Sequence, residues 1–226
     1  MRPKENLRLR QSDSMNRPRV LLADDHLMLA EALSKLLEPT CEVVGLVQDG
    51  RTLLKAAGQL RPDIIVLDIG MPQLNGLDAA RQLKHDTAGV KLIFITMNED
   101  PYLVGEAFRA GASAYLLKKG AAFELTKAIT EVLKGKTYVT PCMSEGLAKI
   151  SLRNPGSRKR APEPTPRQRQ VIQLLAEGHS MKEAADLLNV TKRTIASHKY
   201  TIMDLLQLKS NAELVQYAIK HRIISL

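Results

Sequence analysis

The sequence predicts two bodies: an α/β unit on a parallel, doubly wound sheet of five strands, then a small all-α unit of four helices. Three observations lead there. Short apolar runs alternate five times with amphipathic stretches of helical length between residues 19 and 133, a pattern that builds a parallel sheet covered on both faces. A stretch rich in Pro, Arg, Ser and Gly, 151–164, then interrupts it, as a linker does. Beyond it, Thr165-Pro166-Arg167-Gln168 and Ser180-Met181-Lys182-Glu183 read as two capping boxes opening successive helices.

The elements follow in order. Residues 1–17 are polar and basic without periodicity, so a disordered tail is expected. Arg19 to Ala23 reads as the first strand, ending in Asp24-Asp25-His26. Leu27 to Leu37 reads as a helix with Leu29, Leu33, Leu36 and Leu37 on one stripe. Glu42 to Val47 is the second strand, and Gly50 to Leu60 a helix stopped by Arg61-Pro62. Ile64 to Leu67 is an apolar, mostly β-branched run ending in Asp68, with Gly70 and Pro72 breaking it, the signature of a buried strand. Leu74 to His85 is the next helix. Lys91 to Ile95 is the fourth strand, ending at Thr96. Asp100 caps the helix after it, with Pro101 at its first position. Ser113 to Leu117 is the fifth strand, ending at Lys118, and Ala121 to Leu133 the fifth helix, stopped by Gly135. The chain from 18 to 135 makes one domain. Residues 136–164 form the linker, whose first part, through Ile150, is apolar enough to pack or to form a short helix.

From 165 to 226 the signals are helical. The first helix runs to about Glu177, where Gly178 ends it, and the second covers Lys182 to Leu188. Asn189-Val190 turns the chain, Thr191 caps a third helix reaching about Leu206, and a fourth covers Asn211 to His221. Two short helices joined by a brief turn match a helix-turn-helix. At 100° per residue, Ile195, His198, Ile202, Leu205 and Leu206 face the core, and Arg193, Ala196, Ser197 and Tyr200 face away. These four are candidates for base edges, and Thr191, Lys192, Lys199 and Lys209 for phosphates.

Composition narrows the function classes. Of 226 residues, 44% are hydrophobic, enough for a core in each unit. Cys41 and Cys142 have no CxxC spacing, which argues against a disulfide framework or zinc site and for a reducing cytoplasm. No apolar run reaches membrane-spanning length, and the first 17 residues lack a signal-peptide core. The net charge of +9 divides into +4 over residues 1–19, −2 over 20–149 and +7 over 150–226. A slightly acidic first body and a basic second one point to a polyanion as partner of the second.

The strand ends collect Asp24, Asp25, Asp68, Thr96 and Lys118 on the carboxyl edge of the sheet, where open α/β folds place their chemistry. Three carboxylates there need a compensating cation, and oxygen donors suit Mg²⁺. A hydroxyl and an ammonium beside them suit phosphoryl oxygens. The implied chemistry is attack by a carboxylate on a phosphoryl donor, giving an acyl phosphate. His26 and His198 read as a helix-start residue and a packed core histidine.

Asp24-Asp25, Leu67-Asp68-Ile69-Gly70-Met71-Pro72, Thr96 and Tyr115-Leu116-Leu117-Lys118 resemble the flavodoxin-like receiver domain of bacterial two-component response regulators. The resemblance implies that a sensor histidine kinase phosphorylates Asp68. It implies Mg²⁺ on Asp25, Asp68 and the Gly70 carbonyl, with Asp24 acting through water. Thr96 and Lys118 would bind the phosphoryl oxygens, and Tyr115 would be the switch aromatic. Lys119 stands where many receivers have Pro. The stretch 165–224 resembles the DNA-binding domain of the NarL/FixJ (LuxR-type) family through Thr165-Pro166-Arg167, Leu174-Leu175-Ala176-Glu177-Gly178, Thr194-Ile195-Ala196-Ser197-His198 and Ala212-Glu213-Leu214-Val215-Gln216-Tyr217-Ala218. Gln168 and Gln170 depart from commonly acidic positions, and Ala196 from a commonly charged one.

The expected function is therefore a cytoplasmic, non-enzymatic transcriptional regulator. Phosphorylation of Asp68 is expected to free the C-terminal helices, promote homodimerisation and raise affinity for paired promoter half-sites in double-stranded DNA. The alternatives are a phosphorylation-independent LuxR-type regulator and a receiver whose output binds RNA or protein. A phosphotransferase or phosphatase would need a second acid two residues after the nucleophile, and position 70 is Gly.

Overall fold

The computed structural model describes residues 17–86, 89–144 and 164–224. The expected tail and the Pro-, Arg- and Ser-rich half of the linker lie outside the described residues, apart from Arg17 and Pro164. The first domain runs β1 (Arg19–Ala23), α1 (Leu27–Leu37), β2 (Glu42–Val47), α2 (Gly50–Leu60), β3 (Ile64–Asp68), α3 (Gly76–Asp86), β4 (Lys91–Thr96), α4 (Pro101–Arg109), β5 (Ala112–Leu117), a 3-10 turn (Lys118–Gly120), α5 (Ala121–Leu133) and β6 (Tyr138–Val139). Every strand pairing is parallel, in the order β2-β1-β3-β4-β5-β6.

Alternation along the strands sorts the core into two layers. Leu21, Ile65, Leu67, Phe94 and Tyr115 point to one face and pack under α2, α3 and α4. Val20, Leu22, Val66, Ile93 and Leu116 point to the other and pack under α1 and α5. β3 lies inside the sheet between β1 and β4, which is why all five of its residues are buried. A strand covered on both faces reads as an unbroken apolar run, and Ile64-Ile65-Val66-Leu67 is one.

Three expectations need correction. The sheet has six strands, not five. Tyr138 and Val139 pair with Ala114 and Tyr115, Thr140 N donates to Tyr115 O, and Leu117 N donates to Thr140 Oγ1. Two residues carry too little periodicity to be read as a strand. A helical turn over 141–144 follows and buries Met143. Helix α3 starts at Gly76 and not at Leu74, because Asn75 takes the capping role, its Oδ1 accepting from Asp78 N at 2.9 Å. Leu36 leaves the expected stripe of α1 and is exposed, while Ala30 joins Leu33 and Leu37 in the core.

The second domain comprises α6 (Pro166–Ala176), α7 (Met181–Leu188), α8 (Lys192–Leu205) and α9 (Asn211–Lys220). Both expected capping boxes form, on Thr165 with Gln168 and on Ser180 with Glu183. Val171, Ile172, Leu174, Ala184, Leu188, Ile195, Ile202, Leu214 and Ala218 make its core.

Close backbone approach fixes two glycines. A Cβ on Gly76 would lie 2.0 Å from the Asp68 carbonyl oxygen, and one on Gly50 2.0 Å from that of Leu74. The Gly76→Ala protein should lose stability by about 2 kcal/mol or more, read from the urea midpoint. Gly58 is exposed within α2 and a Cβ there meets nothing. Gly58→Ala should gain roughly 0.5–1 kcal/mol in the same assay.

Candidate functional site

The carboxyl edge of the sheet gathers the expected side chains. Asp24 follows β1, Asp68 ends β3, Thr96 ends β4 and Lys118 follows β5, and all four are buried. Lys118 Nζ donates to Asp24 Oδ1 at 2.9 Å and to Asp68 Oδ2 at 3.0 Å. The Gly70 N–H also donates to the Asp68 carboxylate. Thr96 Oγ1 faces the same cavity and accepts from Asn98 N at 3.2 Å. Tyr115 lies beneath, wholly buried, its hydroxyl donating to Asn98 O at 3.1 Å.

Burial pushes the Asp68 carboxyl above the usual carboxylate range, against the pull of the Lys118 ammonium. Burial works on Lys118 in the opposite sense, but the charges and hydrogen bonds of Asp68 and Asp24 outweigh it and hold the ammonium above its ordinary value. Lys118 is therefore protonated at neutral pH. One ammonium faces three carboxylates, since Asp25 belongs to the same cluster, with ligand atoms within 4.8 Å of one another. Asp24 Oδ2 is buried and has no hydrogen-bond partner among the described residues. Uncompensated negative charge and an unused buried oxygen fit a hard divalent cation.

His26, expected from the sequence as a plain helix-start residue, joins this cluster. Its Nδ1 lies 2.9 Å from Asp25 Oδ1, 3.2 Å from Asp24 Oδ1 and 3.2 Å from Lys118 Nζ. The ring is 65% exposed and sits at the rim. Position next to the acid pair was the only signal for it in the sequence.

The second domain places its candidate residues on α8. Lys192, Arg193, Ser197 and Tyr200 are exposed, with Thr191 capping the helix through Thr194 N and Lys209 exposed beyond its end. Ala196 and Lys199 are half-buried. Ile195 and Ile202 are wholly buried as expected, whereas His198, Leu205 and Leu206 are half-buried, because so small a unit cannot enclose a full stripe. Asn189 takes the left-handed conformation, φ 52°, in the turn between α7 and α8.

Sequence reasoning missed a set of contacts between the two domains. Gln173 of α6 is 1% exposed. Its Oε1 accepts from Asn75 N at 2.8 Å, and its Nε2 donates to Met71 O at 3.0 Å and to Glu177 Oε1 at 2.7 Å. Both Glu177 oxygens accept from Gln73 N at 3.1 Å. Arg169 Nε reaches Asp78 Oδ2 at 3.4 Å, and Arg222, just past α9, pairs with Asp100 at 2.6 Å. The available signal was Gln173 itself, a polar residue between Ile172 and Leu174 in the chain and one helical turn from Glu177. No helix among the described residues is long and apolar enough to cross a membrane.

Comparison with known proteins supports the same two-part reading. Residues 20–130 match the response regulator receiver domain, and residues 165–218 match the luxR family of bacterial regulatory proteins. The oxygen regulatory protein NreC of Staphylococcus carnosus is 30% identical over 214 residues, 91% of this chain and 99% of its own. The response regulator UvrY of Escherichia coli is 28% identical over 204 residues, 89% and 94% of the two chains. Among solved structures, the RcsB response regulator of Salmonella typhimurium aligns at 28% identity and a TM-score of 0.61, covering 90% of this chain and 97% of that one. An RcsB–DNA complex aligns at 28% identity and a TM-score of 0.57, covering 89% and 98%. This chain belongs to the two-component response regulators that couple a receiver domain to a luxR-type helix-turn-helix domain.

Proposed function

We propose that Asp68 is the phospho-acceptor of this regulator and that its charge state controls promoter binding by α8. The observation that carries this is Lys118, buried between Asp24 and Asp68 at the end of the sheet. The phosphoryl group comes from a phosphohistidine of a sensor kinase. An Asp68 oxygen attacks phosphorus, the P–N bond breaks, and the departing imidazole nitrogen keeps the electron pair and takes a proton. The product is an acyl phosphate on Asp68. Lys118 and Thr96 receive the phosphoryl oxygens, the ammonium by charge and the hydroxyl by hydrogen bonding. Asp25, Asp68 and the Gly70 carbonyl would hold Mg²⁺, with Asp24 acting through water. When bound, that ion supplies positive charge against the entering phosphoryl group. Tyr115 and Thr96 are the groups that shift when the acyl phosphate forms, biasing a receiver equilibrium that already exists.

The output side follows from charge and exposure. Thr191, Lys192, Lys199 and Lys209 meet phosphates, and Arg193, Ala196, Ser197 and Tyr200 approach base edges of double-stranded DNA, Ala196 offering only apolar contact. The phosphorylated protein acts as a homodimer on paired half-sites. The working domains are residues 18–135, extended by β6 through Val139, and 165–226, joined by the remainder of 136–164 and preceded by a basic tail. The protein is a cytoplasmic regulator and not an enzyme.

Genomic footprinting of wild type and Asp68→Asn side by side tests the reading. Occupied promoters should be lost or strongly depleted in Asp68→Asn. Equal occupancy would make the regulator phosphorylation-independent. In duplex binding assays, Lys192→Ala and Lys199→Ala should each weaken affinity across sequences and reduce the steepness of log K against log salt by about one. A third expectation concerns pH. Because burial raises the Asp68 carboxyl in the folded state, its contribution to stability is full below the ordinary carboxylate range and is lost as pH rises through the raised value. Without divalent cations, the urea midpoint of wild type should fall across that window, and Asp68→Asn should flatten the fall.

A further inference from the structure

Two groups of contacts between the domains reach the loops that border the acceptor, while Arg169 meets Asp78 on α3 and Arg51 of α2 donates to Leu187 O of α7. Gln173 and Glu177 hold Met71, Gln73 and Asn75, in the loop that follows Asp68. Arg222 holds Asp100, in the loop that follows Thr96. The cavity over the acceptor, about 430 Å³, is lined by Asp68, Thr96 and Lys118 from the receiver and by Ile219, Arg222 and Ile224 from the helical domain. The end of α9 thus forms part of the mouth of the phosphorylation site. Meanwhile the outward residues of α8, Lys192, Arg193, Ser197 and Tyr200, stay exposed, so the docked arrangement does not cover the DNA-reading face.

We propose that the docked helical domain gates phosphoryl transfer at Asp68 rather than the reading of DNA. The inference rests on Asp68 as acceptor. A donor must enter a cavity that the helical domain partly walls. The loops that must rearrange around a new phosphoryl dianion are held by hydrogen bonds from the other domain. Asp100 also connects inward: its N–H donates to Asn98 Oδ1 at 2.9 Å, and Asn98 O accepts from the Tyr115 hydroxyl. One short chain of polar contacts therefore runs from Tyr115 to Arg222. Coupling between the docking and phosphorylation equilibria is reciprocal, so to the extent that docking disfavours the phosphorylated state at equilibrium, phosphorylation disfavours docking by the same factor. In an acyl-phosphate reaction an Asp68 oxygen attacks phosphorus, the bond to the acetate oxygen breaks, and acetate leaves with the electron pair.

The test uses the full chain with Mg²⁺ and radiolabelled acetyl phosphate as donor. Three variants loosen docking from both sides. Gln173→Ala removes the buried amide. Arg222→Asn removes the guanidinium at a position with φ 55°, which Asn tolerates. Asp100→Asn removes its partner charge while retaining a side-chain oxygen to cap α4. Each variant should label at an initial rate roughly fivefold above wild type, the equivalent of about one net hydrogen bond. The affinity of each unphosphorylated variant for duplex DNA of mixed sequence should equal that of wild type. Labelling of wild type and all three variants at one rate overturns the gate. Raised DNA affinity without faster labelling also overturns it, and assigns docking to masking of DNA binding. Label retained in Asp68→Asn, or no label on wild type, overturns the acceptor reading itself and the gate with it.

Discussion

The ammonium of Lys118, held between two buried carboxylates, is the interaction on which the first domain turns. Asp24 and Asp68 come from adjacent strands, β1 and β3, and Lys118 follows β5 two strands away. Only a parallel sheet with crossover helices brings those three strand ends to one edge. The arrangement is kept short of neutral: Asp25 adds a third carboxylate, and Asp24 Oδ2 has no hydrogen-bond partner among the described residues. Buried charge that is only partly compensated is expensive, and active sites are where such expense persists. Surplus negative charge of this kind is what the proposed cation, and with it the proposed phosphoryl group, would require.

The loops leaving this edge connect the charge to the second domain. Gly76 must pass within van der Waals reach of the Asp68 carbonyl, so the loop from Asp68 to α3 is pressed against the strand it leaves. The same loop offers Met71 O, Gln73 N and Asn75 N to Gln173 and Glu177. Burial raises the Glu177 carboxyl, opposed by its hydrogen bonds from Gln173 and Gln73, so that contact depends on both donors staying in place. A local change at Asp68 therefore has a short, hydrogen-bonded route to α6.

Much of this was legible in the sequence, and the boundary is physical. β3 could be read because a strand buried on both faces is continuously apolar. Asp24, Asp68, Thr96 and Lys118 could be read because each ends or follows an apolar run at the same edge. The helices of the second domain announced themselves through Thr165, Ser180 and Thr191, whose side chains cap them. What stayed hidden depends on contacts distant in the chain. β6 is two residues long and gains its identity only beside β5. Gln173 meets partners about a hundred residues away, and Arg222 meets Asp100 across a similar separation. No local periodicity encodes such pairings. His26 was adjacent to the acid pair in the sequence, but its place at the rim depends on Lys118, which folding brings to it.

Phosphorylation of Asp68 would leave an acyl phosphate that can be trapped chemically. Borohydride reduces an acyl phosphate of aspartate to homoserine, which marks the modified residue covalently. After incubation with acetyl phosphate and Mg²⁺, reduction and peptide mapping should place homoserine at position 68. Homoserine at Asp24 or Asp25 with Asp68 intact would contradict the account.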